Sequence, residues 1–422
     1  MNTTRFYCIL ILSFVWSATQ AQMLCSYDVD PEAPSSTFGY FNTCPESPDG
    51  KYVAYLRYTT VPSTEKNILG EIWIWNRISN DRKKIATIKN PPLHDGVHLT
   101  WANNEVIVFQ KGKISPIGID DYSDYIDRNY DYICAANIKT GKKKTFELRG
   151  RLGHQAVNGK VPVSVLTPCN GYWGVYSLDV KTGKSTLICT PETFSDMVDT
   201  SLKSGNEDAK AWKIMHVAFS PDGKKVCMRM DIRAKKSKKS PSENHNVFVA
   251  IYTDGTHPAY FGPKPLHNNW YDNNTIIGHC GDPKNGPMKE GQNPLLKGRK
   301  GGGVYQFSMY PNIKCLDKLA PFGNHLAFSQ DKQWFASENW YREDSVELRI
   351  YKKYDTHPRA IIFKNYYGKR TWGNSIHCNP SFSADGKRLY FTEVIDGHRF
   401  QGRWVNLEDI DKPELWKPFP KK

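Results

Sequence analysis

The chain has 422 residues, of which 39% are hydrophobic, 24% charged and 13% aromatic. That is globular composition enriched in aromatic residues, and it excludes a disordered chain, a collagen and a multi-span membrane protein. The 57 Lys and Arg outnumber the 43 Asp and Glu for a formal charge of +14, which favours an acidic partner: nucleic acid, an anionic surface or an acidic polymer.

Residues 1–21 have the three parts of a secretory signal. Arg5 supplies the positive start, Phe6 to Trp16 the apolar run, and Thr19-Gln20-Ala21 a cleavage site after Ser17 and Ala18. The run falls short of the roughly 20 residues a transmembrane helix needs, and no later segment is long and apolar enough to span a bilayer. The expectation is therefore an exported protein, extracellular or periplasmic, with 22–422 as its mature part. Of the ten cysteines, Cys8 would leave with the signal. The odd remainder leaves at least one thiol free or bound to metal. No Cys-x-x-Cys pair occurs, so zinc-ribbon and thioredoxin readings fail. Export also turns the basic charge away from nucleic acid and towards an extracellular polyanion.

One phrase then recurs along the chain. Ser47-Pro48-Asp49-Gly50-Lys51, Ser220-Pro221-Asp222-Gly223-Lys224, Ser329-Gln330-Asp331-Lys332 and Ser383-Ala384-Asp385-Gly386-Lys387 are turn sequences between β-rich runs. Weaker copies stand at Asn103-Asn104, Asn158-Gly159 and Asp272-Asn273. Their spacing of roughly 50 to 60 residues is the period of a propeller blade. Further runs such as Ile72-Trp73-Ile74-Trp75 and Val247-Phe248-Val249-Ala250 follow each hairpin, and several lead into Gly-Lys turns. The prediction is an all-β, seven-bladed propeller with four antiparallel strands per blade. It replaces the two or three domains that length alone suggests. The basic stretch 234–242 reads as a solvated loop, and Gly-rich 281–303 as an insertion in blade five.

Histidines sit at one repeated place. His98, His216 and His325 each precede a hairpin turn by six residues, and His154, His267 and His377 by four to eight. The first strand of a blade lines the channel, so these side chains gather near one rim. The second strand returns to that rim and adds His279 and Cys280 in blade five, Arg229 and Arg233 in blade four, Arg57 in blade one and Arg342 in blade six. Tyr172 follows the return strand of blade three. Neutral imidazoles and a thiolate suit a divalent transition metal, zinc first, with manganese or calcium open. Its ligands would come from His267, His325, His377, His279 and Cys280. His98, His154 and His216 with a tyrosine and an arginine suit proton abstraction beside a carboxylate. A glycoside hydrolase would instead want two facing carboxylates, and no Gly-x-Ser-x-Gly elbow is present.

Several phrases carry a family resemblance. Asp30-Pro31-Glu32-Ala33-Pro34 with Cys44-Pro45-Glu46-Ser47-Pro48-Asp49-Gly50, His98-Leu99-Thr100-Trp101, Leu266-His267-Asn268-Asn269-Trp270 and Ile376-His377-Cys378-Asn379-Pro380 resemble seven-bladed propeller polysaccharide lyases. The likeness is to the ulvan lyases of polysaccharide lyase families 24 and 25, with oligogalacturonate lyases more distant. It implies β-elimination on an acidic, uronate-containing polysaccharide and a metal held mainly by histidines. Carried over, His98 and His154 are the catalytic histidines. Tyr172 is the acid/base, with Tyr176 as the alternative, and Arg233 neutralises the carboxylate, with Arg229 or Lys213 as alternatives. His216, Arg57 and Arg342 would bind substrate. The expected partner is the anionic polysaccharide alone, acted on by a monomer. Two other classes stay open: a non-catalytic TolB-like binding propeller and an oligogalacturonate lyase.

Overall fold

The computed structural model describes residues 22–61, 68–91, 96–111, 132–169, 171–197, 210–233, 244–262, 265–280, 302–321, 323–339, 345–366, 377–395 and 399–419. The segment read as a signal, the basic loop and residues 281–301 of the Gly-rich insertion lie outside them. The described residues form seven four-stranded antiparallel sheets, six of them with their strands in chain order from the channel outwards. The inner strands are Ser35–Thr37, Leu99–Trp101, Arg151–Leu152, Lys210–Phe219, Leu266–Trp270, Asn324–Phe328 and Ser381–Phe382. Helix among the described residues is confined to short turns, and none is long and apolar enough to cross a membrane.

The repeated turn phrase works through its serine. In blades one, four, six and seven the hydroxyls of Ser47, Ser220, Ser329 and Ser383 donate to the aspartate two residues on, at 2.5–2.7 Å. The same oxygen accepts the backbone N–H five residues on, at 2.9–3.0 Å. The fourth residue takes a left-handed conformation, at φ 70° for Gly50 and 72° for Gly223, which glycine adopts without steric cost. Lys332 holds that place in blade six at φ 61°. The phrase is legible because all of this chemistry is local.

Apolar side chains fill the layers between blades. Val108, Ile133 and Ala135 of blade two meet Leu152, Val161, Val163 and Leu178 of blade three. Phe248 and Ala250 of blade four meet Trp270, Ile276 and Phe307 of blade five. Second strands such as Val106–Gln110 and Thr275–Cys280 are thus buried on both faces, which explains the unbroken apolar runs, while the outer strands expose one face.

Blade seven is closed by the other end of the chain. Its own strands are Ser381–Phe382, Arg388–Val394 and Phe400–Asn406, and the fourth is Tyr27–Asp28, pairing Tyr27 with Trp404 and Asp28 with Arg403. Gln22–Leu24 pairs in addition with Trp416–Pro418. Joining the two ends in one sheet removes an open seam from the ring.

Candidate functional site

Blades four, five and six share a local device. His216, His267 and His325 lie in the left-handed region at φ 52°, 46° and 41°. At each one the pairing of the first two strands slips, between Met215 and Ala218, Leu266 and Asn269, and Asn324 and Ala327. Such a backbone is unfavourable for a residue with a side chain, so its recurrence in three neighbours marks an enforced conformation. A bulge bends the strand and re-aims the side chain. In blade seven Asn379 holds the equivalent slot at φ 41°, and His377 stands two residues before it.

The residue before each bulged histidine pairs with one position on the second strand. These pairs are Met215 with Arg229, Leu266 with His279, and Asn324 with Glu338. Arg229, His279 and Glu338 each stand seven residues past the hairpin aspartate, so three adjacent blades present a histidine with a cation, a histidine and an anion in turn. His267 Nδ1 lies 2.7 Å from His279 Nε2. Glu338, fully buried, accepts from Nδ1 of His325 at 3.1 Å, Nδ1 of His377 at 2.7 Å and the backbone N–H of Cys378 at 3.0 Å. Burial alone would raise this carboxyl; His377 and His325 outweigh it and hold Glu338 well below the usual carboxylate range. A carboxylate only accepts, so each imidazole carries its proton on Nδ1 and turns Nε2 away from Glu338.

His325, Glu338 and His377 offer nitrogen and oxygen atoms within 4.8 Å of one another. A buried pair of imidazoles with a carboxylate fits a divalent metal by donor chemistry. The hydrogen-bond distances to both Nδ1 atoms make Glu338 the orienting partner of the two rings. His267, whose ring centroid is 4.5 Å from that of His325, stands beside them.

The inner strand of blade one breaks after Thr37, and Tyr40 and Phe41 enter the channel. The Tyr40 ring stacks on His216 at 5.0 Å and meets His154 and His325 edge-on at 5.2 and 5.5 Å. Phe41 touches His154, His267 and His325 at 5.2–5.8 Å. Two aromatic rings thus tie together histidines from blades three to six. His216 and His267 are half-buried, while His98, His154, His279, His325 and His377 are buried.

His154 follows the inner strand that carries Arg151, which is 2% exposed. Burial first, and the Arg151 charge second, push the His154 imidazole down to about 3. The same two causes hold His216 well below its ordinary value, with Arg229 adding to them. Both rings are therefore neutral bases near pH 7. His154 Nδ1 is buried without a hydrogen-bond partner among the described residues. A channel of about 430 Å³ runs from His154 to the hairpin turns, lined by Asn42, Gln155, Asn269, Gln330, Lys332 and Ser383 among others.

The depressed His154 value sets a pH dependence. An exposed histidine titrates at about 6.5, so below that pH the unfolded chain takes up a proton that native His154 refuses. The contribution is complete above about 6.5 and is lost as pH falls towards 3. Between pH 6.5 and 5 this one group should cost roughly 2 kcal/mol. Urea unfolding of His154→Gln at the two pH values should show a correspondingly shallower loss than wild type; identical slopes would contradict the assignment.

The sequence-predicted residues divide on placement. His98, His154, His216, His267, His279, His325 and His377 stand where inner and second strands meet the channel. Cys280 does not join them. Alternation along the strand turns it away from His279 into the apolar layer against Phe248 and Trp270. Arg57 is held by Asp30 at 3.1 Å and lies over Trp73. Tyr172 is half-buried over the apolar layer between blades two and three, with its ring against Tyr176 at 5.3 Å. Arg342 and the side chains of Arg233 and Lys213 lie outside the described residues. Glu338, Arg151, Tyr40 and Phe41 are additions to the expected set.

No family model and no curated protein matches the chain. Solved structures similar to the chain match it at low identity. An oligogalacturonate lyase from Vibrio parahaemolyticus is 10% identical, with 92% of this chain and 97% of that one covered at a TM-score of 0.49. TolB from Acinetobacter baumannii is 13% identical, covering 85% and 81% at 0.36. The β-propeller domain of the Trilobed protease from Pyrococcus furiosus is 11% identical, covering 90% and 98% at 0.44.

Proposed function

We propose that the chain is an exported, monomeric polysaccharide lyase that cleaves an acidic, uronate-containing polymer, ulvan foremost, by β-elimination. The observation that carries this reading is the graded ring of histidines, with buried Arg151 and half-buried Arg229 at one end and Glu338 at the other. A uronate carboxylate would sit at the arginine end, where Arg151 and Arg229 oppose its charge. The neutral imidazole of His154 would take the C5 proton. Its electron pair forms the C4–C5 double bond as the C4–O bond breaks, and the departing oxygen takes a proton from an acid, for which His98 and Tyr172 remain candidates. The carboxylate would offset the Arg151 charge that depresses His154, so substrate binding strengthens the base. A divalent ion, zinc first, would be held by His325 and His377 beside His267, and would supply further charge stabilisation of the carboxylate. His216 and His267, half-buried, are the first histidines an entering chain would meet.

Incubation with ulvan, pectate and glycosaminoglycans, following ultraviolet absorbance of the unsaturated uronate, tests the reading. A rise on one polymer is expected, and no rise on any would sink it. His154→Ala should slow that rise roughly 10²-fold while leaving far-ultraviolet dichroism unchanged; an undiminished rate would remove His154 from the chemistry.

A further inference from the structure

Tyr40 stands where the two ends of the histidine ring meet. Its ring is fixed on one side by the stack on His216, and its phenol oxygen lies 3.5 Å from Nε2 of His325. That separation is long for a hydrogen bond from a hydroxyl, whose optimum is nearer 2.8 Å. It also suits two donor atoms on one metal ion. With bonds of about 2.0–2.1 Å in a tetrahedral site, neighbouring ligands stand roughly 3.3–3.4 Å apart. The nitrogen concerned is the one able to serve, because Nδ1 of His325 is committed to Glu338. Tyr40 is also almost fully buried, at 8% exposure, with Phe41 beside it at 2%, so apolar surface adjoins the oxygen.

We propose that Tyr40 is a metal ligand, its phenolate oxygen joining the imidazoles of His325 and His377. The inference rests on the metal reading of that triad and extends it to blade one. Binding releases the phenol proton to solvent and leaves the oxidation state of the ion unchanged. The break in the inner strand of blade one then has a purpose beyond packing. It carries an oxygen donor across the channel to a site built by blades six and seven.

Copper(II) alone is the probe. Chelator-treated full-length protein loaded with one equivalent should bind it and develop visible phenolate-to-copper charge-transfer absorption, with tyrosinate modes in resonance Raman. Neither readout needs a variant. Tyr40→Phe, which keeps the ring stack, should abolish the band and weaken zinc binding about 10-fold or more. Copper bound at the triad without the band, or a Tyr40→Phe protein with unchanged band and zinc affinity, would overturn the role of Tyr40 alone. Failure of the wild type to bind either ion would overturn it together with the metal reading.

Discussion

Replacing Glu338 by alanine should weaken zinc binding by roughly 10- to 100-fold for each of the two histidines it orients. The carboxylate accepts from Nδ1 of His325 and His377 and from the Cys378 N–H. Alanine takes this acceptor away from three buried donors and frees both rings to turn, so protein stability should fall as well, by about 3 kcal/mol. Glu338→Gln separates the two effects. Its amide carbonyl can accept from one imidazole, while its NH₂ group faces the other and forces that ring to carry its proton on Nε2, where it no longer serves as a donor to metal. Calorimetric zinc titration should therefore find Glu338→Gln stable but weakened by about one histidine's share. Zinc affinity equal to wild type in both variants would remove Glu338 from the metal site.

Glu338 also marks where sequence reasoning stopped short. The blades were legible because Ser-x-Asp-Gly turns are built from neighbours in the chain. The histidines were legible because they keep phase with those turns. Glu338 keeps phase too. It follows Asp331 by the same seven residues that separate His279 from Asp272 and Arg229 from Asp222. A lone glutamate in the strand Trp-Phe-Ala-Ser-Glu-Asn nonetheless looks like a solvent-facing residue, and its partners lie 13 and 39 positions away. Reading the second strand of blade six to the same phase as that of blade five finds it, beside an Arg342 that lies outside the described residues.

Tyr40 and Phe41 were hidden for another reason. They interrupt an inner strand, and nothing in the run Phe-Gly-Tyr-Phe-Asn says that the chain leaves the sheet there. Strand alternation likewise decides between His279 and Cys280. The pair is adjacent in sequence and reads as one ligand set, yet successive side chains of a strand point to opposite faces. Arg151 is hidden because an arginine in the run Arg149-Gly150-Arg151 reads as a surface residue. Only the packing of blade three against blade four buries it beside His154 and His216.

The second large effect is expected at the seam between blades one and seven. Glu46, 1% exposed, accepts from Nε and Nη2 of Arg388 at 2.7 and 3.1 Å and from the hydroxyl of fully buried Tyr390, with Arg77 at 3.5 Å. No other pair of neighbouring blades lies so far apart in sequence, with 342 residues between Glu46 and Arg388. The Tyr27–Asp28 strand closes the outer edge of this seam, and Glu46 closes the end near the hairpin turns. Glu46→Ala should cost about 3 kcal/mol, because the Tyr390 hydroxyl loses its acceptor and the Arg388 charge keeps only its contact with Asp385 at 3.0 Å. Arg388→Met in the Glu46→Leu background should recover part of that loss, since two apolar side chains leave no stranded charge between them. Urea unfolding of Glu46→Leu, Arg388→Met and the double variant forms a cycle, and the coupling should exceed 1 kcal/mol, the range of contacting buried partners. Additive losses in that cycle would mean that the seam is held by strand pairing alone.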